Sequence, residues 1–121
     1  MPKYVDGYVL PIPTKNVAAY QKIAKRASKI WLEHGALQYC ESVGEDLSGD
    51  TPMVSFLKPS KAKPDETVIF AWVVFKSRAH RDKVNEKVMK DPRLAAMMDP
   101  KAMPFDFKKM IYGGFNVIVD G

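Results

Sequence analysis

The sequence predicts an α+β fold in the ferredoxin-like order βαββαβ, a four-stranded antiparallel sheet with its helices on one face. Three observations lead there. Runs rich in β-branched and aromatic residues recur at 4–13, 36–43, 67–75 and 109–119. After the first and third of these, apolar residues repeat at steps of three and four, the period of one helical face. A length of 121 residues, 46% hydrophobic and 27% charged, describes one domain over 1–121 that can bury a core without disulfide or metal.

The first strand, 4–13, is stopped by Pro11 and Pro13. Thr14 is a favoured helix N-cap, and the helix it opens carries Tyr20, Ile23, Ala24, Ala27, Ile30, Trp31 and His34 on one face. Gly35 suits the left-handed cap at its end. Lys22, Lys25, Arg26 and Lys29 form a basic stripe on the opposite side. Strand two, 36–43, carries Glu41 near its end. The stretch 44–66 is rich in Gly, Pro, Ser and Asp, and 53–57 within it reads either as a short strand or as strand two resuming after an excursion. Strand three, 67–75, is an unbroken apolar run and reads as buried on both faces. Ser77 caps a second helix reaching Lys90, with Val84 and Val88 inward and Arg78, Arg81, Lys83 and Lys87 outward. Asp91 and Pro92 fit the N-cap and first position of a short helix to Met98. In the last strand, 109–119, Gly113 and Gly114 signal a bulge or a close backbone approach.

A sheet covered on one face should alternate apolar and polar residues, yet strand three does not, and the last strand has Met110, Tyr112 and Phe115 besides Ile111, Val117 and Val119. Two helices cannot cover both faces. A second copy of the chain, packed sheet to sheet, is the expected cover, which makes the assembly a homodimeric α/β barrel.

Composition excludes several classes. The single Cys40 can form no internal disulfide, and there is no C-x-x-C pair for zinc, so a reducing, cytoplasmic setting is expected. No apolar run is long enough to span a membrane, and Asp6 and Gly7 interrupt any signal core. The chain has no phosphate-cradling glycine motif, no H-E-x-x-H and no G-x-S-x-G, and only His34 and His80 as imidazoles. No cofactor and no metal are expected. Nineteen Lys and Arg against fourteen Asp and Glu give a net charge of +5 and invite a nucleic-acid reading. The charges are mainly Lys and the aromatics lie apart from them, which fits a solvated face better than an RNA platform.

Tyr4-Val5-Asp6-Gly7-Tyr8-Val9, His34-Gly35-Ala36-Leu37, Asp91-Pro92-Arg93, Met103-Pro104-Phe105-Asp106 and Lys109-Met110-Ile111-Tyr112-Gly113-Gly114-Phe115 resemble the YbaA-like family, a bacterial domain of unknown function. The likeness runs from Tyr4 to Asp120 and is weakest over 44–63. It implies a dimeric α/β barrel and brings neither an established activity nor an assigned catalytic residue.

Candidate positions follow from chemistry. Around Met103 to Phe115, Asp106, Lys108, Lys109 and Tyr112 stand beside Phe105, Phe107 and Phe115, the mix of an apolar pocket with a few polar groups, or of a turn leading into a dimer-contact strand. Asp6, Glu41 and Asp106 are the acids expected at the sheet, as a general base with raised pKa or as partners of Lys or backbone groups. His34 suits packing or capping at a helix C-terminus, and Trp31 and Trp72 suit core or cleft lining. Met89, Met97, Met98, Met103 and Met110 crowd together, as in an adaptable apolar cleft, a partner surface or, more commonly, a small core. Two functions of different class result: a dimer binding a small organic molecule in a cleft between helices and sheet, or an interaction module meeting an acidic protein or RNA through its basic helix faces.

Overall fold

A computed structural model describes residues 2–99 and 101–121. Strands β1 (Tyr4–Pro13), β2 (Gln38–Val43), β3 (Glu66–Phe75) and β4 (Ile111–Asn116) form one antiparallel sheet in the order β2-β3-β1-β4. Helices α1 (Val17–Glu33), α2 (Arg78–Met89) and α3 (Pro92–Met97) complete a ferredoxin-like α+β fold. Alternation along the strands sorts side chains by face. On β1, Tyr4, Asp6, Leu10 and Ile12 are buried beneath the helices, and on β3 so are Ile69, Ala71, Val73 and Phe75.

The helix ends follow local chemistry. Gly35, at φ +116°, lets the Ala36 N–H close on the Trp31 carbonyl and its own N–H on that of Leu32, the two bonds of a Schellman cap. Because Ala36 is spent on this turn and Leu37 is a bend whose N–H donates to the Val74 carbonyl, β2 starts at Gln38 and not at 36. The Ser77 hydroxyl accepts from the His80 N–H, and the Asp91 carboxylate accepts from the Arg93 N–H. Thr14 is no helix cap: it begins a 3₁₀ turn, Thr14–Asn16, and α1 starts after Asn16. The Asn16 side chain instead donates to the Pro104 carbonyl at 3.0 Å, pinning the segment that follows α3.

Several sequence expectations are corrected. Residues 53–57 form turns and no strand, with Phe56 resting its ring 5.8 Å from that of Phe70. The last strand is shorter than 109–119. Phe107–Lys109 is a 3₁₀ turn, and the chain leaves the sheet after Asn116, with Ile118 and Val119 exposed. Strand β3 is not buried on both faces, since Phe70 is 45% exposed. Arg81 turns inward, because i, i+3, i+7 spacing puts it on the face of Val84 and Val88, where Asp6 supplies the opposite charge.

No bulge interrupts β4: Gly113 faces Gly7 and Gly114 faces Asp6 in continuous register. Glycine at 114 serves a close approach, since a Cβ there would lie 2.4 Å from the Tyr4 hydroxyl oxygen. Tyr4 is core, with Arg81 over its ring at 4.9 Å, so it has little freedom to retreat. Gly114→Ala is therefore expected to lower stability by about 1–3 kcal/mol in urea denaturation, as overpacking does. An unchanged midpoint would show that Tyr4 yields freely.

The opposite sheet face carries Val5, Gly7 and Val9 of β1 with Phe70, Trp72 and Val74 of β3, in register with Ile111, Gly113 and Phe115 of β4. None of the three helices covers it. Ile111 is 47% and Phe115 61% exposed.

Candidate functional site

Between the helix-bearing face of the sheet and α1 and α3 lies a cavity of about 470 Å³. Glu41, Ala71 and Tyr8, three residues of one row across the sheet, lie on its floor, and the row ends beside it at Tyr112. Glu41 on β2 faces Ala71 on β3, which faces Tyr8 on β1, which faces Tyr112 on β4. The small side chain of Ala71 leaves open space between the larger Tyr8 and Glu41. Above, α1 presents Ala24 and Ala27, short side chains that deepen the same space, beside Tyr20 and Trp31. All five clustered methionines line the cavity, together with Phe105 and Phe107 from the segment pinned by Asn16. Thioethers there give an apolar wall that can adapt its shape.

The polar content of this cavity is concentrated at Glu41. Tyr20 donates its phenol hydrogen to Glu41 Oε1 through a very short bond, and Tyr39 donates to Oε2 at 2.6 Å. Burial, reinforced by the Glu41 charge, pushes both phenols far above the ordinary tyrosine range, so they remain donors. Burial and then the Asp6 charge do the same to Tyr8. The Tyr8 hydroxyl makes no hydrogen bond among the described residues and is open to a bound molecule. Among the described residues no Lys, Arg or His lines the cavity.

A second polar cluster sits two residues along β1. Asp6 is fully buried and accepts from Arg81 Nη1 at 3.0 Å and from Asn85 Nδ2 at 3.3 Å. Arg81 Nη1 also donates to the Tyr112 hydroxyl at 2.7 Å, and Trp31 Nε1 donates to Asn85 Oδ1 at 3.1 Å. Burial raises the Asp6 carboxyl above its usual range, partly offset by Asn85 and Arg81. With its oxygens saturated by a guanidinium and an amide, Asp6 ties α2 to the sheet.

The sequence candidates are thus divided. Glu41 and Phe105 line the cavity. Asp6 and Tyr112 belong to the ion-paired cluster beside it. Asp106 is exposed and caps its 3₁₀ turn by accepting from the Lys108 N–H, and Lys109 ends that turn. His34 bonds Asp91 at 2.8 Å on the outside of the helices, where Arg93 and His34 hold the Asp91 carboxyl well below the usual range. Trp72 is on the far face of the sheet, its ring 5.4 Å from that of Phe70. Sequence reasoning missed Tyr8, Tyr20, Tyr39 and Ala71. The Tyr39 and Glu41 pair, two apart on a strand and hence on one face, was the available signal. Among the described residues no group of three His, Cys, Asp or Glu could hold a metal ion, and no helix is long and apolar enough to cross a membrane.

Residues 3–107 match the family described as "Protein of unknown function (DUF1428)". The uncharacterized protein YbaA of Escherichia coli K12 is 40% identical over 118 residues, covering 98% of each chain, and YbaA of Shigella flexneri matches to the same extent. Among solved structures, a NIPSNAP family protein of unknown function from Agrobacterium tumefaciens superposes with a TM-score of 0.58 at 14% identity, over 96% of this chain and 88% of that one. A structure described as a dimeric ferredoxin-like protein, from an uncultured marine organism, gives a TM-score of 0.52 at 11% identity over the whole of both chains. These two likenesses concern the fold.

Proposed function

Because this chain belongs to the DUF1428 family, whose function is unknown, its role has to be read from its own geometry, and we propose that it is a homodimer binding a small organic molecule in the cleft of each subunit. One observation carries the reading. A cavity of about 470 Å³ is walled by apolar and aromatic side chains and has its polar groups gathered at one place, around Glu41. That volume lies within the range of small-molecule sites, and an apolar lining with a few placed polar groups is their usual make-up. The exposed aromatic sheet face on the other side supports the dimer, and the single free Cys40 supports a cytoplasmic setting. The interaction-module reading has less support, because Arg81, counted in its basic face, is turned inward onto Asp6.

The neutral fluorophore N-phenyl-1-naphthylamine tests the cleft. It is expected to brighten on binding and to saturate at one molecule per chain. Ala71→Leu places an isobutyl group on the cavity floor and is expected to abolish the signal, with circular dichroism unchanged because the added volume enters empty space. Fluorescence that survives Ala71→Leu at full strength overturns the site. Light scattering tests the assembly: a mass near twice 13.6 kDa is expected, and a monomer at micromolar concentration overturns the dimer.

A further inference from the structure

We propose that the molecule the cleft takes is an organic ammonium, its charged nitrogen seated on Glu41 and its apolar body lying against the aromatic and methionine walls. This rests on the cleft reading above and adds the chemical class of the ligand. The argument begins with what Glu41 lacks. Its two oxygens are held by the phenols of Tyr20 and Tyr39, which are neutral, and it forms no ion pair among the described residues. Hydrogen bonds from phenols orient a carboxylate without cancelling its charge. Charged groups away from bulk water are ordinarily paired. Glu41 is half-buried in the cleft, and the fully buried acid beside it, Asp6, shows the usual solution, with Arg81 at 3.0 Å. At Glu41 the cation is missing, and the space beside it over Ala71 is open.

The walls point the same way. Tyr8, Tyr20, Trp31 and Phe105 line the cleft with aromatic rings, the groups whose negative quadrupole attracts cations, and methionine sulfurs add polarisable contact. With no Lys, Arg or His among the described lining residues, a carboxylate or phosphate ligand would find the Tyr8 hydroxyl as a donor but no countercharge, and the Glu41 carboxylate would repel it. A neutral alcohol could donate to Glu41 but would leave its charge uncompensated. The chain's net charge of +5 does not reverse this preference. Lys22, Lys25, Arg26 and Lys29 are exposed on the outer side of α1, where salt screens them, whereas Glu41 is inside the cleft.

Three molecules of one shape and different charge supply the test: tryptamine, tryptophol and indole-3-acetate, titrated calorimetrically into the full chain at pH 7. Tryptamine is expected to bind at least about tenfold more tightly than tryptophol, the scale of one charge-assisted hydrogen bond, with indole-3-acetate weakest. Glu41→Gln should remove the preference, bringing tryptamine down to about the affinity that the same variant has for tryptophol. Tryptophol binding as tightly as tryptamine overturns the ammonium assignment, and so does an amine preference that persists in Glu41→Gln. In either case the naphthylamine still entering the wild-type cleft keeps the cleft reading alive. Failure of that probe and of all three indoles overturns both.

Discussion

Arg81→Met is expected to destabilise the fold by about 3–5 kcal/mol at neutral pH, the scale found when one partner of a buried ion pair is removed. That is a large part of the stability a domain of this size ordinarily has. The reason is Asp6, which has no exposed surface and would keep only neutral groups, the Asn85 amide at 3.3 Å and the Tyr112 hydroxyl, for its charge. The loss should depend on pH, and the sign follows from the carboxyl. Burial already raises its folded pKa above the ordinary value of 3.8, and Arg81 is one of the groups holding it down. A carboxyl whose pKa is higher folded than unfolded favours the folded state below the unfolded value, and this advantage fades as pH climbs through the folded value. Removing Arg81 moves the folded value further up, so the variant's deficit should be smaller near pH 4 than at pH 7.5. Urea denaturation at both pH values measures it. A deficit of equal size at the two pH values would mean that lost packing around Tyr4 is the cause, and not a stranded charge. Asp6→Asn combined with Arg81→Met should cost less than Arg81→Met alone, because the double variant buries no charge.

The same pair shows where the sequence was legible and where it was not. Asp6 in mid-strand demanded a partner, and Arg81 shares a helix face with Val84 and Val88 by spacing. The two signals met only when the antiparallel register of β1 brought Asp6 beneath α2. Charge alone sent Arg81 outward in the sequence reading, although the period already had it inward. Caps were readable because their chemistry is local: Gly35, Ser77 and Asp91 each act within a few residues. The cleft was not. Strand β3 is apolar at every position from Val68 to Phe75, so nothing in its composition fixes which alternate residues face the helices. Trp72 was named as a cleft candidate and Ala71 was the cleft floor, a difference of one residue that exchanges the two faces of the sheet. Glu41 could be named, but its two phenol donors come from positions 2 and 21 residues away, and the Tyr20 contact exists only after α1 folds back over β2. Nor does any local pattern announce that Asn16 will hold Pro104 and so draw Phe105 over the cavity.

Phe70→Asp is expected to convert the proposed dimer to a monomer, weakening association by at least about a hundredfold, the scale of losing one buried aromatic anchor at an interface. Phe70 stands between Phe56, at 5.8 Å, and Trp72, at 5.4 Å, in the row that continues through Val9 to Ile111. Flat apolar ground of this kind is costly to leave in water at about 25 cal/mol per Å², and a second sheet face is the surface that matches it. In one subunit Phe70 is already 45% exposed, so Asp there should disturb the protomer little while placing a carboxylate without a partner in the middle of the contact. Light scattering across a concentration series reads the outcome, and a stable mass of two chains would remove this face from the interface. The cleft and the proposed interface lie on opposite faces of the same sheet, with adjacent residues of β3, Ala71 and Phe70, assigned one to each. Phe70→Asp should therefore leave the naphthylamine probe bound, and Ala71→Leu should leave the dimer intact. A dimer lost in Ala71→Leu, or probe binding lost in Phe70→Asp, would mean that the pairing of two sheets shapes the cavity on their far sides, and that neither site is a property of one chain.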